Sequence, residues 1–382
     1  MVIIAPVEGM PQEVSVLGVV FGLAVYGGFI ALLFALTRLL PGRRLRGQPL
    51  PGSGQRLTYK LNGMALFVAV HMLLFVGAWF VDLSLTPLLE HFWSLLIAAN
   101  LITLVWLALM NRATRAKGER TKPKPDADPS DTAKEGALAR WWYGLELNPS
   151  FLGVDLKVFA YQPSLIGLGV LNLAFAWAQF EQLGHLTPQM LAYQVFWWAY
   201  LFTHYWLEDN VLSMWDVIAE RFGFMLLWGD LVLVPFFYSI GGWWLLAHPE
   251  PMPLWRVGAI AGLYSLGLWI FRGSNAQKNR FKRDPTTTIW GKPAKLLGGR
   301  LLVSGWWGIG RKINYTGEIM VYTSFALCTG FDAIVPYLLP LWLASLLIHR
   351  AWRDEQRCAA KYGELWVEYT KVAKFRMIPW VY

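Results

Sequence analysis

The sequence predicts an all-α, polytopic integral membrane protein: a helical bundle of about nine to ten transmembrane helices. Three observations predict it. Of 382 residues, 55% are hydrophobic and only 15% charged, against roughly a quarter charged in soluble domains. Apolar stretches recur that approach the roughly 20 residues a spanning helix needs. Lys and Arg collect in alternate loops, the bias that orients such a bundle.

Taken in order, the first apolar segment covers residues 14–40. The loop after it, 41–60, carries Arg43, Arg44, Arg46, Arg56 and Lys60 with no acid. Segments 61–81 and 91–110 follow, separated by Asp82 and Glu90. Residues 118–135, GERTKPKPDADPSDTAKE, are rich in Pro, Ser/Thr and charge and predict a flexible cytoplasmic linker within 111–140. Segments 163–181, 190–207, 222–241 and 253–271 come next, with Glu181 and Glu250 in the loops opposite the basic ones. The loop 272–300 holds eight Lys or Arg against Asp284 alone. Two shorter segments, 313–330 and 334–349, are joined by the turn FDAIVP and predict a helical hairpin. These nine segments put the basic loops and the C-terminal tail in the cytoplasm and the N-terminus outside. MVIIAPVEGMPQE has neither a basic region nor a small-residue cleavage site, so no signal peptide is read there. The expected division is 1–162, N-terminal spans with the linker, and 163–382, a catalytic bundle with cofactor site and tail.

Several function classes drop out. A net charge of +9 invites nucleic acid, but the cations sit between apolar segments, where they set topology and touch anionic lipid. Cys328 and Cys358 are too few for a disulfide framework or an iron–sulfur site. The six histidines show no metal-ligand spacing, so no metal is expected and a di-iron desaturase is disfavoured. No internal repeat suggests a carrier. No GxGxxG follows a strand and no Walker A loop occurs, so any nucleotide binds outside a Rossmann fold.

Ionisable residues at membrane depth are costly and mark function by default. Asp230 lies in FGFMLLWGDLVLVPFFYSI, with Tyr238 eight residues on, on one face of an α-helix. A carboxyl in apolar surroundings favours its neutral form and suits a general acid; a structural hydrogen bond across the bundle is the competing reading. Glu208, Asp209, Asp216 and Glu220 cluster between two spans and read as mostly interfacial and solvated, with Glu208 and Asp209 near enough to the bilayer to line a cavity. Glu318, at the start of a span, either lines the site or complements a helix N-terminus. Three pieces suit an anionic cofactor. Lys278, with Arg280, Lys282 and Arg283, offers charge for phosphates, or simply sets topology. Trp306 and Trp307 offer flat faces, or an interfacial belt. Arg350, Asp354, Cys358 and Lys361 recur at four, four and three residues, forming a helical stripe or an intrahelical ion pair.

At these residues the chain resembles the sterol reductase family, which includes C14, C7 and C24(28) reductases and lamin B receptor. WWYGLELNPSFLGVDLKVF is similar to the family's GxELNPR…DLK segment, and LEDNVLSMWDVIAERFGFMLLWGDLVLVPFFYS to its FGFMLxFGDLVWVPFxYS block. SNAQKNRFKRDP, LLVSGWWGIGRKINYTGE and LLIHRAWRDEQRCAAKYGELWVEYTKVAKFRMIPWVY resemble the family's remaining motifs in the right order. SGWWG and CTGF lie nearer the C14 reductases than the C7 enzymes. The resemblance implies flavin-free, NADPH-dependent reduction of the C14=C15 bond of a Δ8,14-sterol drawn from the bilayer. Protonation at C15 would precede hydride delivery to C14. Asp230 or Tyr238 would be the proton source, with Glu318 and Tyr315 behind them. It also implies NADPH contacts at Ser274, Lys278, Leu302, Trp307, Asn314, Tyr315, Asp354, Cys358, Ala359, Ala360, Lys361, Tyr362 and Tyr369, with Arg350 and Arg311 as further candidates.

Three departures stand out. Lys312-Ile313 replaces the usual His-Pro, Glu318 replaces an aspartate, and the family's additional span upstream of residues 14–40 is missing, as is the basic N-terminal module of lamin B receptor. The alternatives are a C7 sterol reductase, an S-adenosylmethionine-dependent methyltransferase of the isoprenylcysteine type, and a non-catalytic sterol-binding protein. The membrane is the endoplasmic reticulum or a bacterial inner membrane, and nothing in the sequence signals an oligomeric state.

Overall fold

The computed structural model describes residues 14–50, 54–116 and 136–381. Its helices are α1 (Val16–Leu39), α2 (Gly63–Phe80), α3 (Thr86–Glu90), α4 (Phe92–Ala116), α5 (Ala137–Tyr143), α6 (Leu156–Leu183), α7 (Pro188–Trp206), α8 (Trp215–Ile218), α9 (Phe224–Trp228), α10 (Ile240–Ala247), α11 (Leu254–Arg283), α12 (Trp306–Ile309), α13 (Ile313–Leu327), α14 (Leu338–Tyr362) and α15 (Glu364–Val372). Among the described residues, strands occur only as four antiparallel hairpins with strands of two or four residues, in the loops, so the all-α class holds.

Among the described residues, six helices are long and apolar enough to cross a membrane: α1, α2, α4, α6, the composite Phe224–Ala247, and Leu254–Lys282 within α11. With them the chain is an integral membrane protein. The other three expected spans are also helical but fall outside this set. α7 carries Gln189, Gln194 and His204, α13 has 15 residues, and α14 turns charged after His349. The expected linker 118–135 and the N-terminal residues 1–13 lie outside the described residues.

The described residues form two compact units, one of 187–196 with 248–382, the other of residues up to 186 with 197–247; the division runs through α7. In the second unit α6 is the most enclosed span. It starts at Asp155, whose side chain accepts the Val158 N–H at 2.9 Å, and ends at Gly184 in the left-handed region at φ 73°. Between lipid-facing helices there is no hydrophobic drive to associate, so close packing must supply it. α1 meets α4 through Gly18 and Gly22, a small-xxx-small pair; a Cβ at Gly22 would stand 2.8 Å from the Ser94 carbonyl oxygen.

The acids between the spans are more buried than the sequence suggests. Glu208 is 6% and Glu220 7% exposed. Glu208 accepts the Gly63 N–H with both oxygens, at 2.9 and 3.0 Å, capping the N-terminus of α2 from 145 residues away. Glu220 accepts the Trp215 indole N–H at 2.8 Å. Buried Lys157 ties down the same segment, donating to the carbonyls of Asp216, Val217 and Glu220 at 2.9, 3.1 and 2.6 Å. Solvation was the wrong reading for Glu220, whose carboxylate finds an N–H that needs an acceptor, and Glu208, expected near a cavity, is occupied by the α2 terminus. Glu208→Ala strands the α2 terminus and is expected to destabilise the protein by about 1–3 kcal/mol, while Glu208→Gln, which keeps an acceptor, costs less. Thermal midpoints of the purified variants check the order.

Candidate active site

The first unit builds its site on α11. Four-residue spacing puts Ile270, Ser274 and Lys278 on one face of that helix. Buried Ser274 turns its hydroxyl back onto the Ile270 carbonyl at 2.6 Å, leaving its own carbonyl to accept the Trp307 indole N–H at 2.9 Å. Lys278 stands over the same indole, its Nζ 4.3 Å from the ring centroid, a contact worth roughly 0.5–2 kcal/mol. The Tyr369 hydroxyl donates to the Trp307 carbonyl at 3.3 Å. Leu302 packs into the same cluster with Ile289, Trp306 and Ile313. Ser274, Lys278, Leu302, Trp307 and Tyr369 thus gather around one ring.

The second part comes from the tail. Residues 310–312 run beside 375–376, with Arg311 N–H donating to the Phe375 carbonyl at 2.9 Å and Lys312 N–H to that of Arg376 at 2.8 Å. These bonds, with buried Ile313 packed on the tryptophan cluster, hold the turn where the family uses proline. The Arg311 guanidinium is occupied by Glu355 at 2.7 Å and by the carbonyls of Ala373 and Lys374 at 2.7 and 2.9 Å; Arg376 shares Glu355 at 2.6 Å. Arg311 therefore anchors the tail to α14. Lys312 forms an ion pair with Asp354. Cys358 packs with Trp366, Tyr369 and Ala373. Tyr362 stacks on Trp366 at 6.4 Å and lies 5.2 Å below the Lys361 ammonium. Ala359, Ala360 and Lys361 are exposed. The α14 stripe is thus divided: Asp354 goes to Lys312 and Cys358 to the Tyr369 cluster, while the charge of Arg350 reaches Glu318.

Electrostatically this site is short of negative charge. Burial, reinforced by the Lys278 ammonium, pushes the Lys312 amine down to about 7, outweighing the opposing charge of Glu355. Burial also pushes the Tyr369 phenol up to about 12, so its hydroxyl remains a neutral donor. Asn314 donates to the Asn275 side-chain oxygen at 3.3 Å, but its own Oδ1 is buried with no hydrogen-bond partner among the described residues. Crowded cations, a flat indole and an unused buried acceptor fit a phosphate-bearing cofactor with a polar ring. A bound phosphate favours charged Lys312. Phosphate-dependent affinity is therefore expected to be highest below pH 7 and to fall as pH rises through about 7. The Lys312→Gln variant is expected to bind weakly with little of this pH dependence. Titrating inorganic pyrophosphate against intrinsic fluorescence at several pH values checks it.

Three candidate acids remain. Glu318 lies on α13 in the same unit, half-buried, within electrostatic reach of Arg272 and Arg350. Its helix crosses α11 very closely at Gly317, where a Cβ would meet the Gly267 carbonyl oxygen at 2.7 Å. Tyr315 is half-buried on the first turn of α13. Asp230 and Tyr238 belong to the other unit. There the sequence reading assumed α-helical winding, but Gly229–Phe237 is π-helical. Pro235 explains the departure: it has no N–H to give the Leu231 carbonyl, which instead accepts the Tyr26 hydroxyl at 2.7 Å. Asp230 makes no hydrogen bond or ion pair among the described residues, so the cross-bundle hydrogen bond expected as its structural alternative does not form. Tyr238 is buried.

Sequence reasoning missed Lys312 as the partner of Asp354, Gln277 as acceptor of the Trp306 N–H at 2.9 Å, and Tyr26 as the group that supports the π-helix. Only Lys312 left a signal, as the cation standing where the family has histidine.

Comparison with known proteins agrees with this architecture. The profile of the Ergosterol biosynthesis ERG4/ERG24 family matches residues 18–382. A Delta(14)-sterol reductase of Arabidopsis thaliana is 38% identical, over 93% of this chain and 94% of that protein. That of Methylotuvimicrobium alcaliphilum is 36% identical over 91% and 80%. Delta(14)-sterol reductase erg24 of Schizosaccharomyces pombe is 34% identical over 98% and 90%. With the match running from the first spanning helix to the last residue, the chain belongs to the Ergosterol biosynthesis ERG4/ERG24 family.

Proposed function

We propose that the protein is an NADPH-dependent Δ14-sterol reductase that saturates the C14=C15 bond of Δ8,14-sterol intermediates in sterol biosynthesis. The observation that carries this reading is the cation-rich indole cluster of Lys278, Trp307, Lys312 and Tyr369, with the unused Asn314 acceptor beside it. The relatives named Delta(14)-sterol reductase support the substrate.

Lys278, Trp307, Asn314, Asp354 and Tyr369 would hold the cofactor, with Ser274 and Leu302 supporting the indole. Lys312 would face its phosphates, and Arg311 would keep the tail in place. NADPH would supply the hydride that an unactivated alkene accepts only once it has become a cation. The chain's own task is therefore to protonate C15 and to keep water from the cation that forms at C14. Asp230 is the first choice of donor: it is at membrane depth, makes no hydrogen bond or ion pair among the described residues, and a neutral carboxyl there can give up its proton to the diene. Tyr238 is the second choice, with Glu318 and Tyr315 behind it. The substrate enters from the bilayer, residues 163–382 carry the catalysis, and the C-terminal tail is cytoplasmic in the endoplasmic reticulum or a bacterial inner membrane.

The purified protein, given NADPH with a Δ8,14-sterol and separately with a Δ7-sterol, is expected to reduce only the first, with one NADPH oxidised per product. Reduction of the Δ7-sterol alone would make it a C7 reductase. Sterol binding without NADPH oxidation would make it a non-catalytic sterol binder.

A further inference from the structure

On the stripe of α11 next to Ser274 and Lys278, the residues Trp269, Gly273, Gln277 and Arg280 line a separate cavity of about 180 Å³, closed on its other side by Thr288, Ile289, Trp290 and Trp306. Three indoles form its walls. The Trp306 ring meets Trp269 at 4.9 Å and 81°, and Trp290 at 5.3 Å and 77°. Near-perpendicular indole faces around one space are the arrangement that attracts a quaternary ammonium, through the negative faces of the rings. The Gln277 Oε1 is not free to serve the cavity, because it accepts the Trp306 backbone N–H at 2.9 Å and thereby holds that wall. Arg280 lines the cavity too, and no carboxylate pairs with it among the described residues.

Trp290 is the telling residue. With Gly291 it makes the two-residue turn between the paired strands Thr288–Ile289 and Lys292–Pro293, at φ 52° and 75°. Such a turn, with both central residues in the left-handed region, favours Asn-Gly. A tryptophan there is strained, and strain of that kind is kept where the side chain has work to do. The ring is 58% exposed and touches Trp306 at the cavity mouth, so it does little for the core.

We propose that this cavity binds the phosphocholine headgroup of a membrane phospholipid, with the trimethylammonium between the three indoles and the phosphate on Arg280. Each half of the site selects against simpler ligands. Arg280 repels a bare ammonium, and the indole faces give a bare anion nothing. A zwitterion with its charges a few bonds apart satisfies both. The source is the bilayer: α11 is of spanning length and carries no charge from Val257 to Phe271, Trp269 is 60% exposed on it, and after that stretch the cations resume at Arg272, where a headgroup would lie. The site borders the Trp307 cluster, with which it shares Ile289 and Trp306, but it contains none of the candidate donors and none of Lys278, Asn314, Asp354 and Tyr369, so lipid binding is read separately from turnover.

The purified full chain is titrated with short-chain phosphatidylcholine and, separately, with phosphatidylglycerol of the same chains. Bound lipid is counted by native mass spectrometry and thermal midpoints are recorded alongside. One phosphatidylcholine is expected to bind, at least tenfold more tightly than phosphatidylglycerol, and free phosphocholine more weakly than the lipid. Trp290→Asn, which suits the turn, is expected to keep or raise the thermal midpoint while losing tenfold or more in phosphatidylcholine affinity. Arg280→Gln is expected to weaken phosphatidylcholine similarly, and it decides the matter if Trp290→Asn fails to fold. Wild-type affinity in either folded variant, or equal binding of phosphatidylglycerol, overturns the proposal.

Discussion

Asp230→Asn is expected to lower the turnover of a Δ8,14-sterol by roughly 10²–10⁴-fold, the range that a positioned general acid contributes. The amide has the carboxyl's shape but no proton to give at C15. Folding should be untouched, because Asp230 has no hydrogen bond or ion pair among the described residues for the substitution to break. Binding of the sterol should also survive, so the loss should fall on kcat and leave KM nearly unchanged. Product formation is measured by gas chromatography on protein whose thermal midpoint matches wild type. A rate within a few-fold of wild type removes Asp230 from the chemistry and moves the proton to Tyr238, which Tyr238→Phe then tests in the same assay.

The second large effect is expected at Trp307. This indole is buried, bonds the Ser274 carbonyl through its N–H, carries Lys278 over its face and receives the Tyr369 hydroxyl on its backbone. Trp307→Ala removes a core aromatic, which costs about 3–5 kcal/mol, and it also releases three neighbours at once. Trp307→Phe separates the two roles. It keeps most of the packing, loses the bond to Ser274 and weakens the cation–π contact, so it is expected to fold with a modest loss of thermal midpoint but to bind NADPH at least tenfold more weakly. Cofactor affinity is read from quenching of intrinsic fluorescence, independently of turnover. Unchanged NADPH affinity in a folded Trp307→Phe protein would detach this cluster from the cofactor.

Much of this was legible in the chain itself. The long apolar stretches marked α1, α2, α4, α6, Phe224–Ala247 and α11, because a bilayer accepts only segments whose backbone groups bond internally. Lys278 and Trp307 stood out in the chain as a cation and an aromatic beside a span, while Ser274 entered only through the family resemblance. The winding around Asp230 was not legible. Pro235 was visible, but its consequence depended on whether some other helix supplied a donor to the Leu231 carbonyl, and that donor is Tyr26, 205 positions away. Glu208 was read as near enough to the bilayer to line a cavity, and its role as a helix cap stayed hidden because its partner at Gly63 is 145 residues distant. The role of Arg311 was equally hidden: a cation beside a cofactor motif reads as a phosphate ligand, and only the fold reveals that Glu355 and two tail carbonyls occupy it.

What the sequence by itself determined is which segments enter the membrane and which residue types stand at their ends. Hydropathy, proline and glycine act locally, over a turn or a span, and can be read without knowing any neighbour. Tertiary structure alone decided which ring Lys278 covers, which acid Lys312 meets, and which walls Trp306 shares with Trp269 and Trp290. Those pairings join residues far apart in the chain, and a hydrogen bond or an ion pair has its effect only over the few ångströms that packing brings about.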